Sequence, residues 1–427
     1  MLSLIRAGRP FAVVDLGTAY AKALIVALGP AGLWNVVGAA SVCYTHLGEG
    51  DLWPERQRAG LEALQLACQR APSLTGRLFE PAAYIVAITN DAVRLTAHHW
   101  RGTRQQPDVP IGRDEAEQLL SRARGASLRR PTALRNGSDT VVHLARLGLS
   151  LAVDGRPVTE FTGFRGSEVD VLSAQAEAPA ERLAPYKEWA AAFGRPFVLL
   201  PECLAALELM RPLPSLVLVD VGAACTSIYA KAPGRGFQVL RLASGGLSFT
   251  RRLSRAAGLS PSRAEQIKLA YAGGGLGDRN RRRIGLIFAR GFTSWVRRLA
   301  SAMVPLRPPI PHVWATVGGA SQLPEFARLP ASLANASIAY AESDQAIPGP
   351  ALALFERSPS LVPLRLTDVC SHLIPGPEAV EPGQVLAAGL AEYVLRLAQD
   401  ERSRRAEWQD QVLAAKAGFE VMSDWLK

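Results

Sequence analysis

Residues 11–28 read FAVVDLGTAYAKALIVAL, and residues 215–230 read SLVLVDVGAACTSIYA. Each stretch predicts a hairpin of two strands, because an apolar run reaches a turn with an acid, a glycine and a hydroxyl before a second apolar run begins. The two turns carry matching residues, namely Asp15, Gly17 and Thr18 in the first and Asp220, Gly222 and Thr226 in the second. Two such units in one chain predict a duplicated α/β domain.

A turn of this kind presents backbone N–H groups and a hydroxyl at one point, which suits the oxygens of a phosphate group. The acid cannot contact phosphate directly, because like charges repel, but it can hold Mg²⁺ or the waters around it. Two such hairpins that face each other would clamp the phosphate tail of a nucleotide. A third turn, Gly318-Gly319, lets the backbone approach a flat base or a phosphate closely, since glycine has no Cβ.

Together these segments resemble the motifs of the actin/Hsp70/sugar-kinase superfamily. Residues 15–22 resemble its first phosphate motif, and residues 220–226 resemble the second. Residues 317–324, VGGASQLP, resemble the adenosine motif. Residues 264–268, AEQIK, resemble a helix whose Glu and Lys approach the ribose and base, and residues 387–390, AAGL, resemble the second connecting helix.

Within this superfamily the chain is most similar to FtsA, the bacterial division protein family that tethers FtsZ to the membrane. An insert at about 84–177 falls where FtsA carries its IC subdomain, and residues 158–171, VTEFTGFRGSEVDV, resemble an FtsA stretch. The resemblance implies an α/β, actin-like (ribonuclease H-like) two-lobed ATPase fold with an inserted α+β IC subdomain of the SHS2 type. The implied units are 1–83, the first part of subdomain IA; 84–177, the insert; 178–212, the second part of IA; 213–246 with 312–383, subdomain IIA; 247–311, a basic helical IIB; 384–400, a helix that returns to IA; and 401–427, a C-terminal amphipathic helix.

The resemblance also implies ATP and Mg²⁺ as ligands. The implied nucleotide-binding residues are Asp15, Gly17, Thr18, Lys22, Gly222, Thr226, Glu265, Lys268, Gly318, Gly319 and Ser321, with Asp15 and Asp220 holding Mg²⁺ through its waters and Asp220 as the catalytic residue. FtsA usually has a Gly-Gly-Gly-Thr-Thr-Asp run at the second motif, whereas residues 222–227 here read GAACTS. Two added methyl groups, a lost hydroxyl and a lost acid near the phosphates predict nucleotide binding with at most slow hydrolysis.

The function implied by FtsA is structural. Such a protein tethers FtsZ at the division septum, lies peripherally on the inner face of the cytoplasmic membrane and associates with itself into filaments. The pattern of residues 220–227 is closer to PilM, which implies the alternative of a cytoplasmic platform protein in type IV pilus or secretion assembly. A sugar kinase on the same fold is a third reading, but it needs a catalytic Asp in a substrate cleft, and the sequence offers no candidate motif for one.

The positive charge of the chain is concentrated in one segment. The net charge is +10, and the stretch from Arg251 to Arg298 holds twelve Lys or Arg against two acidic residues, so it carries the whole excess. A basic segment on a neutral body predicts an acidic partner or an anionic membrane surface, although a solvated arginine-rich helix face is the plain alternative. Since IIB binds the FtsZ tail in FtsA, the resemblance assigns that tail to Arg279, Arg281, Arg282 and Arg283. No aromatic interleaving accompanies the arginines, which argues against nucleic acid.

The end of the chain predicts an amphipathic helix. Its apolar stripe includes Trp408, Val412, Phe419, Met422, Trp425 and Leu426. Such a helix can lie in the interface of a membrane, or it can dock on the protein's own core or on another subunit through the same stripe. The chain has no run of the length needed to span a bilayer, no signal peptide and no paired CxxC cysteines, so the sequence predicts a cytoplasmic protein in a reducing compartment.

Overall fold

The computed structural model describes residues 1–44, 53–71, 79–128, 141–213, 215–232, 236–303, 310–329, 332–333, 360–362, 364, 366–375 and 383–399. The predicted C-terminal amphipathic helix and its membrane residues lie outside the described residues, so that assignment stays a prediction. Within the described ranges, no helix combines the length and the apolar character needed to cross a bilayer.

The described residues form strands and helices that alternate along much of the chain. The strands are β1 (Phe11–Leu16), β2 (Tyr20–Leu28), β3 (Trp34–Cys43), β4 (Ala83–Ile88), β5 (Arg94–Thr103), β6 (Val141–Val153), β7 (Arg156–Val158), β8 (Glu168–Pro179), β9 (Phe197–Pro201), β10 (Leu216–Val221), β11 (Thr226–Ala232), β12 (Gly236–Leu242), β13 (Val313–Val317), β14 (Ser360–Leu361) and β15 (Leu373–Ile374). The helices are α1 (Leu2–Arg6), α2 (Trp53–Arg70), α3 (Arg113–Leu128), α4 (Ala180–Ala191), α5 (Glu202–Met210), α6 (Gly246–Ala257), α7 (Pro261–Ala272), α8 (Asp278–Met303), α9 (Leu366–Val369) and α10 (Val385–Gln399).

Two sheets with the same internal order form two lobes. The sheet of lobe I runs β15-β3-β2-β1-β4-β9, and the sheet of lobe II runs β12-β11-β10-β13-β14. In each sheet the first strand of the predicted hairpin pairs antiparallel with the second and parallel with a later strand, β4 in lobe I and β13 in lobe II. The two hairpins therefore occupy equivalent places, as the repeated sequence pattern predicts.

The central strands of both lobes are buried on both faces. Every residue of β1, β4 and β10 is buried, which explains why these segments read as continuous apolar runs and not as alternating ones. The one acid within β1 and the one within β10, Asp15 and Asp220, both lie near the carboxyl end of their strand. This is the edge at which ligands bind in α/β sheets.

The insert is a separate four-stranded sheet with the order β5-β8-β6-β7. Helix α3 covers it, and Ile111, Leu119, Phe161 and Val169 belong to a small core of its own. The sequence placed the start of the insert at residue 84, but β4 pairs with β1 and β9 in the sheet of lobe I, and the inserted sheet begins at β5. A buried apolar strand gives no sign of which sheet it joins, because pairing partners are set by tertiary contacts. The SHS2 class of the insert stays a prediction.

The boundary drawn for subdomain IIA also differs from the structure. The predicted unit 312–383 includes β15, which pairs parallel with β3 of lobe I and therefore lies outside the sheet of lobe II. In contrast, the segment predicted as a basic helical subdomain consists of α6, α7 and α8, which pack on lobe II through an aromatic cluster of Phe249, Phe292, Trp295 and Phe326.

Helices α5 and α10 pack against each other beside the two large sheets. They approach closely at Gly389, where an added Cβ would lie 3.0 Å from the carbonyl oxygen of Ala205. A buried ion pair joins the same helices, with Arg396 Nε 2.7 Å from Glu208 Oε1 and Arg396 Nη2 3.0 Å from Glu208 Oε2. Core residues from both large sheets pack around these helices.

Candidate functional site

The two predicted turns face each other across a cleft between the lobes, with a cavity of about 260 Å³. The hydroxyl oxygen of Thr18 accepts a hydrogen bond of 3.2 Å from the backbone N–H of Ala224, so the turns touch directly. Most of the residues predicted to bind nucleotide line this cavity: Gly17, Thr18, Lys22, Asp220, Gly222, Glu265, Lys268, Gly318 and Gly319. The structure thus brings together segments that are far apart in the chain.

Lys22 and Asp15 form an ion pair at the floor of the cleft. The antiparallel register of β1 and β2 places them directly opposite each other, and Lys22 Nζ lies 2.6 Å from Asp15 Oδ2. Burial acts to lower the pKa of Lys22, but the carboxylates of Asp15, Glu202 and Asp220 outweigh it and raise that pKa. The other carboxylate oxygen of Asp15, Oδ1, is buried and has no hydrogen-bond partner among the described residues.

Asp220 and Glu202 add two more carboxyl groups to the same floor. Burial raises the pKa of Asp220 to about 7, with Lys22 acting to lower it and Asp15 acting to raise it. Burial, together with the charges of Asp15 and Asp220, also raises the pKa of Glu202 well above its usual value. A cation bound at this floor would favour the ionised forms of Asp220 and Glu202, because a nearby positive charge lowers the pKa of a carboxyl group.

Glu202 was missed as a site residue at the sequence level. In the structure Glu202 is the first residue of α5, follows β9 directly and lines the cavity. The signal that was available is the end of a buried strand followed at once by an acid, the same pattern that identified Asp15.

Asn90 connects the floor of the cleft to lobe II. Its backbone N–H donates to Glu202 Oε2 over 3.1 Å, and its side-chain amide lies 3.4 Å from the hydroxyl oxygen of Ser227. Its carbonyl oxygen accepts a hydrogen bond of 3.3 Å from Arg241. Asn90 lies in the turn between β4 of lobe I and β5 of the insert, so one residue contacts the cleft, lobe II and the start of the insert.

Gly318 meets the second turn at close range. Its φ of +88° lies in the left-handed region, and an added Cβ would lie 2.6 Å from both Asp220 Oδ1 and the carbonyl oxygen of Val221. Gly319 differs, since no atom lies within 4 Å of the position of its Cβ. The backbone conformation and the close contacts at Gly318 therefore require glycine, whereas a side chain at Gly319 would enter open space in the cleft.

Glu265 and Lys268 lie together on α7, and both line the cavity. Lys268 Nζ lies 2.7 Å from Glu265 Oε2, and the Thr250 hydroxyl donates to the same oxygen over 2.5 Å. From lobe I, the Tyr20 hydroxyl donates to Glu265 Oε1 over 2.7 Å. Burial acts to raise the pKa of Glu265, but Lys268 and the two hydroxyls outweigh it and lower that pKa, which keeps the group ionised.

Three predicted nucleotide contacts, Asp15, Thr226 and Ser321, are not among the residues that line the cavity. Thr226 is fully buried, and its hydroxyl donates to the carbonyl oxygen of Ser244 over 2.7 Å and accepts from Trp295 Nε1 over 3.2 Å. The Ser321 hydroxyl donates to the carbonyl oxygen of Gly318 over 2.7 Å. Both hydroxyls thus hold local structure together, and the assignment of Thr226 and Ser321 as nucleotide ligands is corrected accordingly.

The arginines of the basic segment form two separate clusters. Arg279, Arg281, Arg282 and Arg283 are exposed on the first turns of α8. Further along the helix, Arg298 joins Arg251, Arg252 and Arg255 of α6 around a groove of about 560 Å³. No acidic residue lines this groove in the part of the chain that the structure describes. The sequence had assigned partner binding to the first cluster and gave no sign of the groove, since a groove needs the packing of α6 against α8.

The residues at the cleft fit a nucleotide with a divalent cation. The orphaned Oδ1 of Asp15 offers an acceptor to a cation or its waters, and Asp220 adds a second carboxylate whose pKa burial raises. Gly17, Gly222, Gly318 and Gly319 line the cavity, and Gly319 leaves open space at the position of a Cβ. No group of three or more His, Cys, Asp or Glu with direct ligand geometry exists among the described residues.

Solved structures match this chain along nearly its whole length. One is a PilM–PilN type IV pilus biogenesis complex, with 20% sequence identity, a TM-score of 0.52, and coverage of 90% of this chain and 98% of that chain. The chain has the fold of the actin-like ATPases. The expectation of an α/β, actin-like two-lobed fold is confirmed.

Two further solved structures match more loosely. The ethanolamine utilization protein EutJ from Carboxydothermus hydrogenoformans has 13% identity and a TM-score of 0.42, covering 88% of this chain and 89% of that one. The activator of the 2-hydroxyisocaproyl-CoA dehydratase from Clostridium difficile, which holds bound ADPNP, has 11% identity and a TM-score of 0.35, covering 92% and 97%. No family model and no curated protein matches the chain.

Proposed function

We propose that this actin-like protein binds ATP with Mg²⁺ in the cleft and acts as a nucleotide-dependent platform that holds a protein partner. The observation that carries the proposal is the cleft floor, where Asp15, Asp220 and Glu202 surround Lys22 beneath two facing turns. In this arrangement the turns would hold phosphate oxygens, while Asp15 and Asp220 would hold Mg²⁺ through its waters. The positive charge of the cation would favour the ionised carboxylates of Asp220 and Glu202, whose pKa values are raised without it.

Binding fits the cleft better than fast turnover does. Ala223 lines the cavity, and the backbone N–H of Ala224 already donates to Thr18, where the related FtsA proteins have glycines. Methyl groups at these positions reduce the freedom of the backbone to approach a phosphate group. We therefore assign the chain a binding role with slow hydrolysis at most.

A titration with ATP tests the proposal. Asp220→Asn removes a carboxylate from the floor while keeping its shape, so the affinity for ATP in Mg²⁺ falls by about tenfold or more. In excess EDTA the variant and the wild type bind ATP with similar affinity. Asp170→Asn, in the inserted sheet beside His99 and Arg101, is the matched control and leaves the affinity unchanged. Equal Mg²⁺-dependent binding by Asp220→Asn would remove Asp220 from the site.

The partner of the platform is a protein of an assembly machine. The PilM of the similar structure is in a complex with PilN, and this supports a pilus-type or secretion-type partner for this chain too. A pull-down with the cytoplasmic segment of the PilN-type protein from the same organism, with and without ATP, tests this role. Binding that needs ATP supports it, and a lack of binding with ATP bound argues for the second candidate.

The second candidate is the FtsA-type role of tethering FtsZ at the division septum. The observation that favours it is the groove of Arg251, Arg252, Arg255 and Arg298, which has the charge and concavity to receive an acidic tail. Saturable, salt-sensitive binding of the FtsZ C-terminal tail peptide from the same organism supports this role. Absence of binding by the folded, ATP-loaded protein rules it out.

In either role we place the protein on the inner face of the cytoplasmic membrane, held by the predicted amphipathic helix of residues 401–427. The arrangement is tested by sedimentation with anionic liposomes. Deletion of residues 406–427 abolishes sedimentation if the helix is the anchor, whereas undiminished sedimentation shows that the helix is not the anchor. Self-association into filaments is part of the same proposal, and light scattering after addition of ATP measures it.

A further inference from the structure

Tyr20 is positioned to contact lobe II from the hairpin that carries the first turn. It is the first residue of β2 and lies two residues before Lys22, so their side chains share one face of the strand. Both residues line the cavity. Because the strand fixes this orientation, the Tyr20 hydroxyl reaches across the cleft to Glu265 Oε1, at 2.7 Å.

The carboxylate of Glu265 accepts hydrogen bonds from three side chains. Thr250 and Lys268 both contact Oε2. Thr250 lies on α6, and Lys268 lies on α7 together with Glu265, so both donors belong to lobe II. Of these three donors, Tyr20 alone belongs to lobe I, and it takes the other oxygen, Oε1. The Tyr20 contact is therefore the one that separates when the lobes move apart.

The position of Tyr20 Oη marks where a ligand hydroxyl would bind. An ionised carboxylate can only accept hydrogen bonds, so a ligand group at Glu265 Oε1 has to be a donor. The two turns and Glu265 line one cavity, so a nucleotide whose phosphates lie between the turns can place its sugar beside Glu265. The sugar hydroxyls are donors of the same kind as the phenol that now occupies the site.

We propose that Tyr20 controls access to the nucleoside end of the cleft, because its hydroxyl holds the position on Glu265 that a sugar hydroxyl of the ligand takes. Tyr20 and a sugar hydroxyl then compete for one carboxylate oxygen, and a ligand that donates to this oxygen does so only after the Tyr20–Glu265 hydrogen bond breaks. This inference rests on the proposed nucleotide binding. Burial and the Glu265 carboxylate raise the pKa of Tyr20, so its hydroxyl remains a donor at physiological pH.

The test compares Tyr20→Phe with the wild type for two ligands, ATP and 2′,3′-dideoxy-ATP. Removal of the competing hydroxyl strengthens ATP binding by about tenfold, as expected for a hydrogen bond to a charged group. The dideoxy nucleotide has no sugar hydroxyl to donate to Glu265, so its affinity changes by less than about twofold. Tyr84→Phe, on β4 and outside the cleft lining, is the matched control and leaves both affinities unchanged.

Two results overturn the inference while leaving nucleotide binding intact: unchanged ATP affinity in Tyr20→Phe, or equal strengthening for both ligands. Failure of wild type and variant to bind either ligand overturns the proposed function, and this inference falls with it. Tyr20→Met serves as a second variant, since it also removes the hydroxyl and fills the space with a flexible apolar chain. Thermal unfolding confirms that each variant is folded.

Discussion

Lys22 lies directly opposite Asp15 across the β1–β2 hairpin, whereas Ser227 lies opposite Asp220 at the equivalent place in lobe II. The duplicated hairpins are thus alike in backbone and different in charge. The ammonium group of Lys22 lies 2.6 Å from Asp15, and from across the cleft it also acts to lower the pKa of Asp220. This asymmetry accounts for the raised pKa of Asp220, because its burial is not offset by a cation on its own hairpin.

The pH dependence of stability follows from this asymmetry. Burial raises the pKa of Asp220 from 3.8 to about 7, so the folded protein binds this proton more tightly than the unfolded chain does. The contribution of Asp220 to the free energy of unfolding therefore falls as the pH rises between about 4 and 7, by up to about 1.4 kcal/mol per pH unit. Asp220→Asn has no such proton to lose, so it gains stability relative to the wild type over this window.

Urea unfolding of both proteins without nucleotide, at about pH 5 and about pH 8, measures the difference. The advantage of Asp220→Asn is expected to be larger at the higher pH and to level off above about pH 7. Asp170→Asn, in the inserted sheet, is unfolded under the same conditions as a control for the loss of one carboxyl group. A constant difference between wild type and Asp220→Asn across the range would mean that Asp220 does not titrate there.

Gly318→Ala is expected to damage the cleft. The added Cβ meets Asp220 Oδ1 and the backbone of Val221 at 2.6 Å, and alanine is strained at a φ of +88°. We expect a loss of about 1–3 kcal/mol in the free energy of unfolding and a fall of about tenfold or more in ATP affinity. Gly319→Ala is the control, because its Cβ has no atom within 4 Å. Equal effects of the two substitutions would contradict the close approach at Gly318.

Thr226→Val separates a structural role from a ligand role. Valine keeps the shape of threonine but leaves the carbonyl oxygen of Ser244 and the indole N–H of Trp295 without this partner. The free energy of unfolding is expected to drop by about 1–3 kcal/mol, while ATP affinity stays the same. Calorimetric unfolding and an ATP titration measure the two quantities. Loss of ATP affinity without loss of stability would restore Thr226 to the nucleotide site.

Removal of one partner of the ion pair between α5 and α10 is expected to lower the free energy of unfolding strongly. Arg396→Met leaves the buried carboxylate of Glu208 with Arg211, a half-exposed residue whose guanidinium lies 3.6 Å away. The expected loss is about 3–5 kcal/mol, and adding Glu208→Leu to the same chain recovers most of it. Arg211→Met alone changes stability by about 1 kcal/mol or less. If the double variant does not recover stability, the ion pair stabilises the protein more than the apolar pair that replaces it.

The two arginine clusters can be distinguished by charge reversal. The double variant Arg252→Glu with Arg255→Glu alters the groove, and Arg282→Glu with Arg283→Glu alters the exposed turns of α8 by the same charge. If the FtsZ tail peptide binds in the groove, the first pair weakens binding by about tenfold and the second changes it little. Fluorescence anisotropy at low and high salt measures both. If instead the second pair weakens binding and the first changes it little, the partner binds the exposed turns of α8.

Much of the fold and of the cleft could be predicted because the relevant signals are local. An apolar run, an acid, a glycine and a hydroxyl identify the β1–β2 and β10–β11 hairpins, and these positions determine the facing turns. The resemblance of residues 264–268 to a family motif predicted that Glu265 and Lys268 lie on one helix, and both lie on α7. Each of these features depends on residues that are neighbours in the sequence, so one amino-acid sequence is enough to identify it.

The errors concern features that depend on distant contacts. Thr226 follows the second turn just as a phosphate ligand would, yet its hydroxyl is bound by Ser244 and Trp295, the latter from α8. Strand β4 reads like any buried strand, and only its pairing with β1 and β9 assigns it to lobe I. Tyr20 reads as an ordinary strand residue, because its partner Glu265 lies on a helix of the other lobe.

Asn90 links three parts of the molecule through its own backbone and side chain. It is bonded to Glu202 at the cleft floor, to Ser227 and Arg241 of lobe II, and by the chain itself to the first strand of the insert. The inserted sheet therefore starts beside a residue that is hydrogen-bonded to the cleft floor and to β11 and β12 of lobe II, so these bonds would have to break, or the start of β5 to shift, if one lobe moved against the other.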